Sequence, residues 1–322
     1  MSDWPPKGEF SLIEQLVKRL PHPTGAGVVG AGDDCALLPV GEEQLLLTCD
    51  IAVDGQHFRS DLVPLDGVGF KAATANASDV IACGGKPTQA LLSLGVPNGF
   101  SATALEALYE GLAEGARHYG FEVLGGNTTR TDMLLLDVFM LGHTQRFVPR
   151  SGAKPGDLLA VGGPLGDSAA GLELLLGTQP PPLQHPLVQR HLRPVARVEL
   201  ADWVATHASA AIDISDGLGA ELHHIAHQSR VACHVEGARI PLSAELKAHA
   251  ASMQKPPLDW ALRSGEEYQL LVAFEPKWQP SAEAAGLVVV GEVLEAPEQG
   301  PGVWLNGQPL PVTGWDHLAS KA

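Results

Sequence analysis

The chain is short of the patterns that mark several common functions. It has four cysteines in 322 residues, Cys35, Cys49, Cys83 and Cys233, and no C-x-x-C spacing. A zinc ribbon or a thioredoxin-type redox pair is not expected, and the simplest reading is reduced thiols in an intracellular protein. Positive charge is scarce. The 21 Lys and Arg stand against 37 Asp and Glu, a formal net charge of −16. That balance lacks the basic footprint of a nucleic-acid or anionic-membrane binder, so neither partner is expected. No apolar run reaches the length that spans a bilayer. The segment "MSDWPPKGEF" has neither a basic nor an apolar signal-peptide region, and a cytoplasmic location is expected. There is no Walker A loop, because "CGGKPT" carries Pro87 where Ser or Thr would hold magnesium. No Ser-His-Asp or cysteine-nucleophile arrangement is visible.

What is present is enough apolar residue, 45%, to build a sizeable core. The length predicts about two domains. "FSLIEQLVKRL" and "SATALEALYEGLAEGARHYG" have helical spacing, the second with Ser101 as N-cap and Gly120 after its end. The small-residue stretch "GVGFKAATANASDVIACGG" predicts a helix closed by Gly84 and Gly85. "EEQLLLTCDIAVD" predicts a strand delivering Asp50 at its end. "TQALLSLGVP" and "DMLLLDVFMLGHT" predict further strands, and "FEVLGGNTTR" a strand running into a glycine turn. Composition turns basic and Pro/Gly-rich at "QRFVPRSGAKPGD", which puts a boundary near residue 149 and domains at 1–148 and 149–322. Beyond it come strand "LLAVGG", helix "AAGLELLLG", a helical "HLRPVARVELADWVATH", strand "SAAIDISDG" and helix "LGAELHHIAHQS". The remainder is expected to alternate short strands with loops. Interleaved strands and helices give an α/β or α+β class.

Gly25, Gly27 and Gly30 have the G-x-G-x-x-G spacing of a dinucleotide loop. That fingerprint must follow a strand and open a helix. Here it follows "PHPT" and precedes "GDDCALLPV", so it reads as a glycine loop. The acids are more informative. Asp33 and Asp34 lie in a Gly turn, Asp50 and Asp54 flank a strand end, Asp79 sits in "NASD", and Asp213 and Asp216 in "IDISDG". Each alone is better read as a turn or cap residue. Together they imply cations, since two carboxylates about 5 Å apart repel by roughly 3 kcal/mol at an effective dielectric near 20. All-oxygen ligands suit magnesium. "GGNTTR" offers backbone N–H groups, the helix opened by "GDSAAG" offers a phosphate-favouring N-terminus, and Arg150 and Lys154 offer positive charge. His223 and His227 stand at i,i+4 without a third ligand in view, and His57 lies beside the acids. The pattern is metal–nucleotide phosphate chemistry without a P-loop.

These segments resemble the thiamine-monophosphate kinases of the aminoimidazole-ribonucleotide-synthetase-like superfamily. The resemblance runs from "GEFSLIEQL" at 8–16 through "GAGDDCALL", "TCDIAVDGQHF", "NASD", "GGNTTR", "RSGAKPGD", "GDSAAGL", "RHLRP", "IDISDG" and "SGEEYQL" to "GWDHL" at 314–318. It implies a two-domain α+β fold whose N-terminal sheet pairs across a homodimer. It implies several Mg2+ ions, ATP as co-substrate, K+ as an optional further cation, and thiamine monophosphate as acceptor, in the last step of thiamine diphosphate synthesis. Asp34, Thr48, Asp50, Asp79, Asn127, Asp213 and Asp216 would be magnesium ligands, with Cys49 ligating through its backbone. Gly126, Asn127, Arg150 and Ser215 would contact ATP. His57, Glu266 and Trp315 would contact thiamine monophosphate. Two positions depart from the family pattern: Asn127 stands where Asp is usual in "GGDTT", and Glu267 where Asp is usual after Gly-Glu. Two other readings stay open. One is another ATP-using member of the superfamily, such as an aminoimidazole ribonucleotide synthetase. The other is a non-catalytic binder of nucleotide or thiamine phosphate.

Overall fold

The structure, a computed structural model, describes residues 9–21, 23–263 and 265–315. Residues 1–8, Ser264 of "SGEEYQL" and the 316–318 part of "GWDHL" lie outside the described residues. The class is α+β. The first half runs α1 (Glu9–Val17), β1 (Ala36–Val40), β2 (Glu43–Val53), α2 (Leu65–Ala82), β3 (Lys86–Val96), α3 (Ala102–Tyr119), β4 (Glu122–Arg130) and β5 (Leu135–Thr144). Its five strands form one sheet in the order β1-β2-β5-β3-β4. β3 and β4 are parallel and joined through α3, as a crossover requires, while the other pairs are antiparallel.

The second half contains β6 (Leu158–Val161), α4 (Asp167–Leu176), α5 (Pro186–Leu192), α6 (Ala201–His207), β7 (Ala208–Ile214), α7 (Leu218–Ser229) and β8 (Val231–Val235). Then come α8 (Ala244–Met253), α9 (Leu258–Arg263), β9 (Gln269–Phe274), α10 (Gln279–Ala284), β10 (Val288–Glu295), β11 (Gly302–Leu305) and β12 (Gln308–Pro309). Its sheet has the order β12-β11-β8-β10-β6-β9-β7. The largest buried cluster spans both halves. It joins Val80, Leu92 and Met140 to Trp203, Leu270 and Phe274.

α2 is central. It is rich in Ala and Gly and buried on most of its surface, as a helix enclosed on several sides must be. α3 lies against it at close range. A Cβ at Gly111 would stand 1.7 Å from the Asp66 carbonyl oxygen, and one at Gly69 would stand 1.9 Å from that of Leu108. Only glycine permits that approach.

Several expectations change. Asp50 lies three residues inside β2, not at its end, because the ladder to β5 continues to Val53. "GGNTTR" is strand, not turn: β4 runs through to Arg130, with Gly126 set so close to β3 that a Cβ would sit 1.9 Å from the Leu92 carbonyl oxygen. "HLRPVARVELADWVATH" is broken into α5, a 3-10 turn and α6, since Pro194 cannot continue α5. α8, α9 and α10 occupy a region expected to hold only strands and loops. Ser101 is the N-cap of α3 by position, yet its side chain makes no cap hydrogen bond. Cys83 is the C-cap of α2, and left-handed Gly84 follows it.

Candidate active site

Three elements deliver the acids to one place. The turn before β1 presents Asp33 and Asp34, the last turn of α2 presents Asp79, and the end of β7 presents Asp213. Asp34, Asp79 and Asp213 each offer a ligand oxygen within 4.8 Å of the others. Neighbours orient them. Thr48 Oγ1 donates to Asp79 Oδ2 at 2.5 Å and Ser78 Oγ to Asp213 Oδ2 at 2.7 Å. Asn76 Oδ1 accepts the Asp50 N–H at 3.1 Å, fixing β2 against α2. Arg150 donates to Asp34 Oδ1 through Nε at 3.1 Å and through Nη2, and its backbone N–H reaches Asp33 Oδ2 at 3.1 Å. Asp34 Oδ2 is buried without a hydrogen-bond partner.

This concentration of charge is costly without cations. Burial pushes the Asp79 carboxyl well above the usual range, and the charges of Asp50, Asp213 and Asp34 push it further. Asp213 is raised well above for the same reasons, burial first and Asp34 next. Asp34 is raised by burial against the opposing pull of Arg150. Burial and Asp34 lift Asp33 from 3.8 to about 6. A carboxyl with a raised folded pKa holds its proton more tightly in the native state than in the unfolded one. Its contribution to stability is therefore full below about pH 4 and lost as pH rises through the folded value. The metal-free protein should lose thermal stability between about pH 4 and pH 7, and Mg2+ should restore more of it at pH 8 than at pH 5. Thermal denaturation in chelator and in Mg2+ across that range reads this directly. Equal Mg2+ shifts at both pH values would contradict it.

The other sequence-predicted residues lie on adjoining loops. The Ser215 carbonyl accepts the Glu266 N–H at 2.7 Å, Ile214 accepts from Tyr268 at 2.9 Å, and Asp216 accepts from Trp315 at 3.1 Å. Ser215, Asp216, Glu266 and Trp315 are thereby laced into one unit at the end of β7. The Asp216 N–H donates in turn to Glu221 Oε1 at 2.9 Å. Trp315 keeps 55% of its surface exposed. His57 accepts the Val53 N–H on Nδ1 at 3.1 Å and lies close enough to help keep Glu266 ionised.

Four features singled out in the sequence are not brought together with the cluster as expected. Asn127 pairs in register with Ser93, which pairs with Asp137, which pairs with Ile51. Residues in such a row share a face, and this is the face opposite Thr48 and Asp79. Three strand spacings separate Gly126 from Asp50, roughly 14 Å. Cys49 is also on that opposite face, beside Asp137. The N-terminus of α4 is occupied: Glu267 Oε1 accepts from the Gly166 and Ser168 N–H groups at 2.9 and 3.0 Å. His223 Nε2 lies 2.9 Å from the Leu310 carbonyl oxygen, so one edge of the i,i+4 histidine pair is spent on the backbone.

Sequence reasoning missed Lys71, Asn76, Ser78 and Glu221. The available signal was helical spacing: Lys71, Ala75 and Asp79 recur at i, i+4 and i+8, on one face of α2.

Residues 32–144 match the family described as AIR synthase related protein, N-terminal domain, and residues 154–303 match its C-terminal domain. Fold and carboxylate cluster thus define an AIR synthase related protein. The chain is 39% identical over 314 residues to the thiamine-monophosphate kinase of Aquifex aeolicus, covering 97% of this chain and 98% of that one. It is 39% identical over 268 residues to the enzyme of that name from Salmonella typhimurium, covering 82% and 81%. A solved structure described as AaThiL complexed with AMPPCP and TMP superposes with a TM-score of 0.90 at 38% identity, covering 98% and 99%. The chain belongs to the thiamine-monophosphate kinase family.

Proposed function

We propose that the chain transfers the γ-phosphoryl group of ATP to the phosphate of thiamine monophosphate, giving ADP and thiamine diphosphate. The observation that carries this is the trio Asp34, Asp79 and Asp213, with ligand oxygens within 4.8 Å of one another and the Asp34 Oδ2 left unpartnered. Such a site fits hard divalent cations. Asp34, Thr48, Asp50, Asp79, Asp213 and Asp216, with the Cys49 carbonyl, would hold Mg2+, which when bound neutralises phosphate charge.

The acceptor needs no general base. A phosphate monoester has its second pKa near 6 and is mostly dianionic at pH 7. One of its oxygens attacks the γ-phosphorus, and the bond to the β-bridging oxygen breaks with ADP leaving. The protein's task is positioning. Arg150 and Ser215 are the proposed contacts to ATP, and His57, Glu266 and Trp315 those to thiamine monophosphate. Trp has the strongest π-face for a cationic thiazolium ring. Domains at 1–148 and 149–322 supply the two walls. The direct test is purified protein with ATP, Mg2+ and thiamine monophosphate, followed by chromatography. Thiamine diphosphate should appear; binding without product would favour the non-catalytic binder.

A homodimer belongs to the same proposal. The sheet face away from α2 exposes Leu38, Val40, Ile51, Leu91 and Phe139. A contiguous apolar face of this kind marks an interface. Phe139→Asp should convert the protein to monomer in light scattering; a dimer unchanged at micromolar concentration would place the interface elsewhere. Asn127 edges this same face, so we assign it to the partner's site rather than its own; Gly126 aligns with Leu92, Val138 and Asp50 on the α2 side. Asn127→Asp should raise turnover at low Mg2+ several-fold by restoring a carboxylate ligand. Unchanged Mg2+ dependence would remove Asn127 from the ligand set.

A further inference from the structure

Glu266, proposed above as a contact to thiamine monophosphate, forms an ion pair with Lys71, a residue with no role assigned so far. Lys71 Nζ stands 2.6 Å from Glu266 Oε2, with side chains 12% and 28% exposed. The pair links α2 to the loop before β9. Asp79 lies eight residues further along the same helix face, about 12 Å away. The pair therefore sits about two turns along the helix from the metal carboxylates.

Its charge state also differs from theirs. Asp34 Oδ2 has no partner, as suits a ligand awaiting a cation. Glu266 already has one. His191 Nδ1, 3.6 Å from Glu266 Oε2, adds no charge: burial, reinforced by Lys71, lowers its pKa to about 3. Ser168 Oγ, 3.1 Å from the same nitrogen, ties the imidazole in place. The backbone is held as deliberately. Glu266 has φ +60°, a left-handed conformation unusual for a residue with a side chain, and its N–H is fixed to Ser215. Strain retained at one residue is a mark of function.

A fixed carboxylate beside a fixed ammonium is a neutral acceptor–donor couple. It matches a neutral heterocycle edge that carries an amino donor next to a ring-nitrogen acceptor. Thiamine monophosphate has such an edge on its aminopyrimidine. We propose that Lys71 and Glu266 together read that edge, with Lys71 donating to the ring nitrogen and holding Glu266 to accept from the amino group. This rests on the kinase reading above and names the recognition chemistry within it.

The test uses the intact protein and two acceptors, thiamine monophosphate and its 4-oxo analogue, oxythiamine monophosphate, in which the amino donor is gone. Wild type should prefer the amino compound by roughly 100-fold in kcat/KM, the scale of leaving one buried polar group unpaired. Lys71→Met and Glu266→Gln should each raise KM for thiamine monophosphate by roughly 30-fold and collapse the preference to a few-fold, with KM for ATP within two-fold. Lys71→Arg should keep most of the preference. A Lys71→Met protein with unchanged preference, or with both KM values raised alike, overturns the assignment. Wild-type protein that forms no thiamine diphosphate refutes the kinase reading instead.

Discussion

Asp79→Asn should abolish thiamine diphosphate formation, lowering kcat by on the order of 10^3 or more, while the metal-free protein becomes more stable. The two effects have one cause. Asp79 is partly buried beside Asp34, Asp50 and Asp213, and desolvation with their charges holds its carboxyl well above the usual range. Asn is nearly isosteric and can still accept the Thr48 hydroxyl hydrogen bond that Asp79 Oδ2 accepts at 2.5 Å. It removes the charge and keeps the shape. Without metal, that removes a repulsion of several kcal/mol between close carboxylates. With metal, it removes a ligand charge from the centre that would balance two phosphate chains, where each preorganised electrostatic contact is worth a factor of 10^2 to 10^3. The stabilisation should be larger at pH 8 than at pH 5. Because its pKa is raised, the wild-type carboxyl takes up its proton more readily as pH falls and then resembles the amide. Turnover within tenfold of wild type would remove Asp79 from the metal centre. A folded variant that is less stable at both pH values would contradict the account of the cluster as a strained, cation-seeking site. Such a trade of stability for function is common where like charges are held together.

Most of the acids were legible because they lie near Gly, Ser or Asn at the end of an element; Asp50, inside β2, is the exception. Their convergence was not legible from spacing alone. Asp34, Asp79 and Asp213 come from a turn, a helix and a strand separated by 45 and 134 residues. Resemblance to a family, not pattern, gathered them. The supporting residues escaped for a different reason. Asn76 and Ser78 look like ordinary polar residues of a small-residue helix, and only the packing of β2 and β7 against α2 turns them toward Asp50 and Asp213. Lys71 is hidden the same way. "GGNTT" was misread as a turn because glycine pairs signal turns. Here Gly126 instead allows β4 to lie against the β3 backbone. The helices α8, α9 and α10 are short and pack through few apolar residues, α8 on α4 and α5, α9 on α7 and α4, and α10 on β10, too few to show a period. The N-terminus of α4 shows the opposite error, a real anion site already filled by Glu267.

Asn127 poses the sharpest geometric problem, and it yields the second large effect. Along the sheet it aligns with Ser93, Asp137 and Ile51, on the face opposite the cluster. Within one chain it cannot reach the metal carboxylates of that chain, since the sheet lies between. Across a two-fold interface formed by that face, the edge strand β4 of one copy can approach the other copy's β2. Co-expressing two inactive variants separates the cases. Asp79→Asn disables its own chain's cluster. Asn127→Arg places a cation where a magnesium ligand is proposed, and should be inactive alone. In a mixed dimer with Asn127 acting in trans, one site pairs an intact cluster with an intact β4 and the other carries both defects. Random pairing makes half the dimers mixed, so about a quarter of wild-type activity should return. If Asn127 acts in its own chain, each site of the mixed dimer carries one defect and activity stays at background. Differential tags isolate the mixed dimer, and it should then show about half the wild-type rate per dimer. Background activity in that purified species would return Asn127 to its own chain and require β4 to move relative to the rest of its sheet.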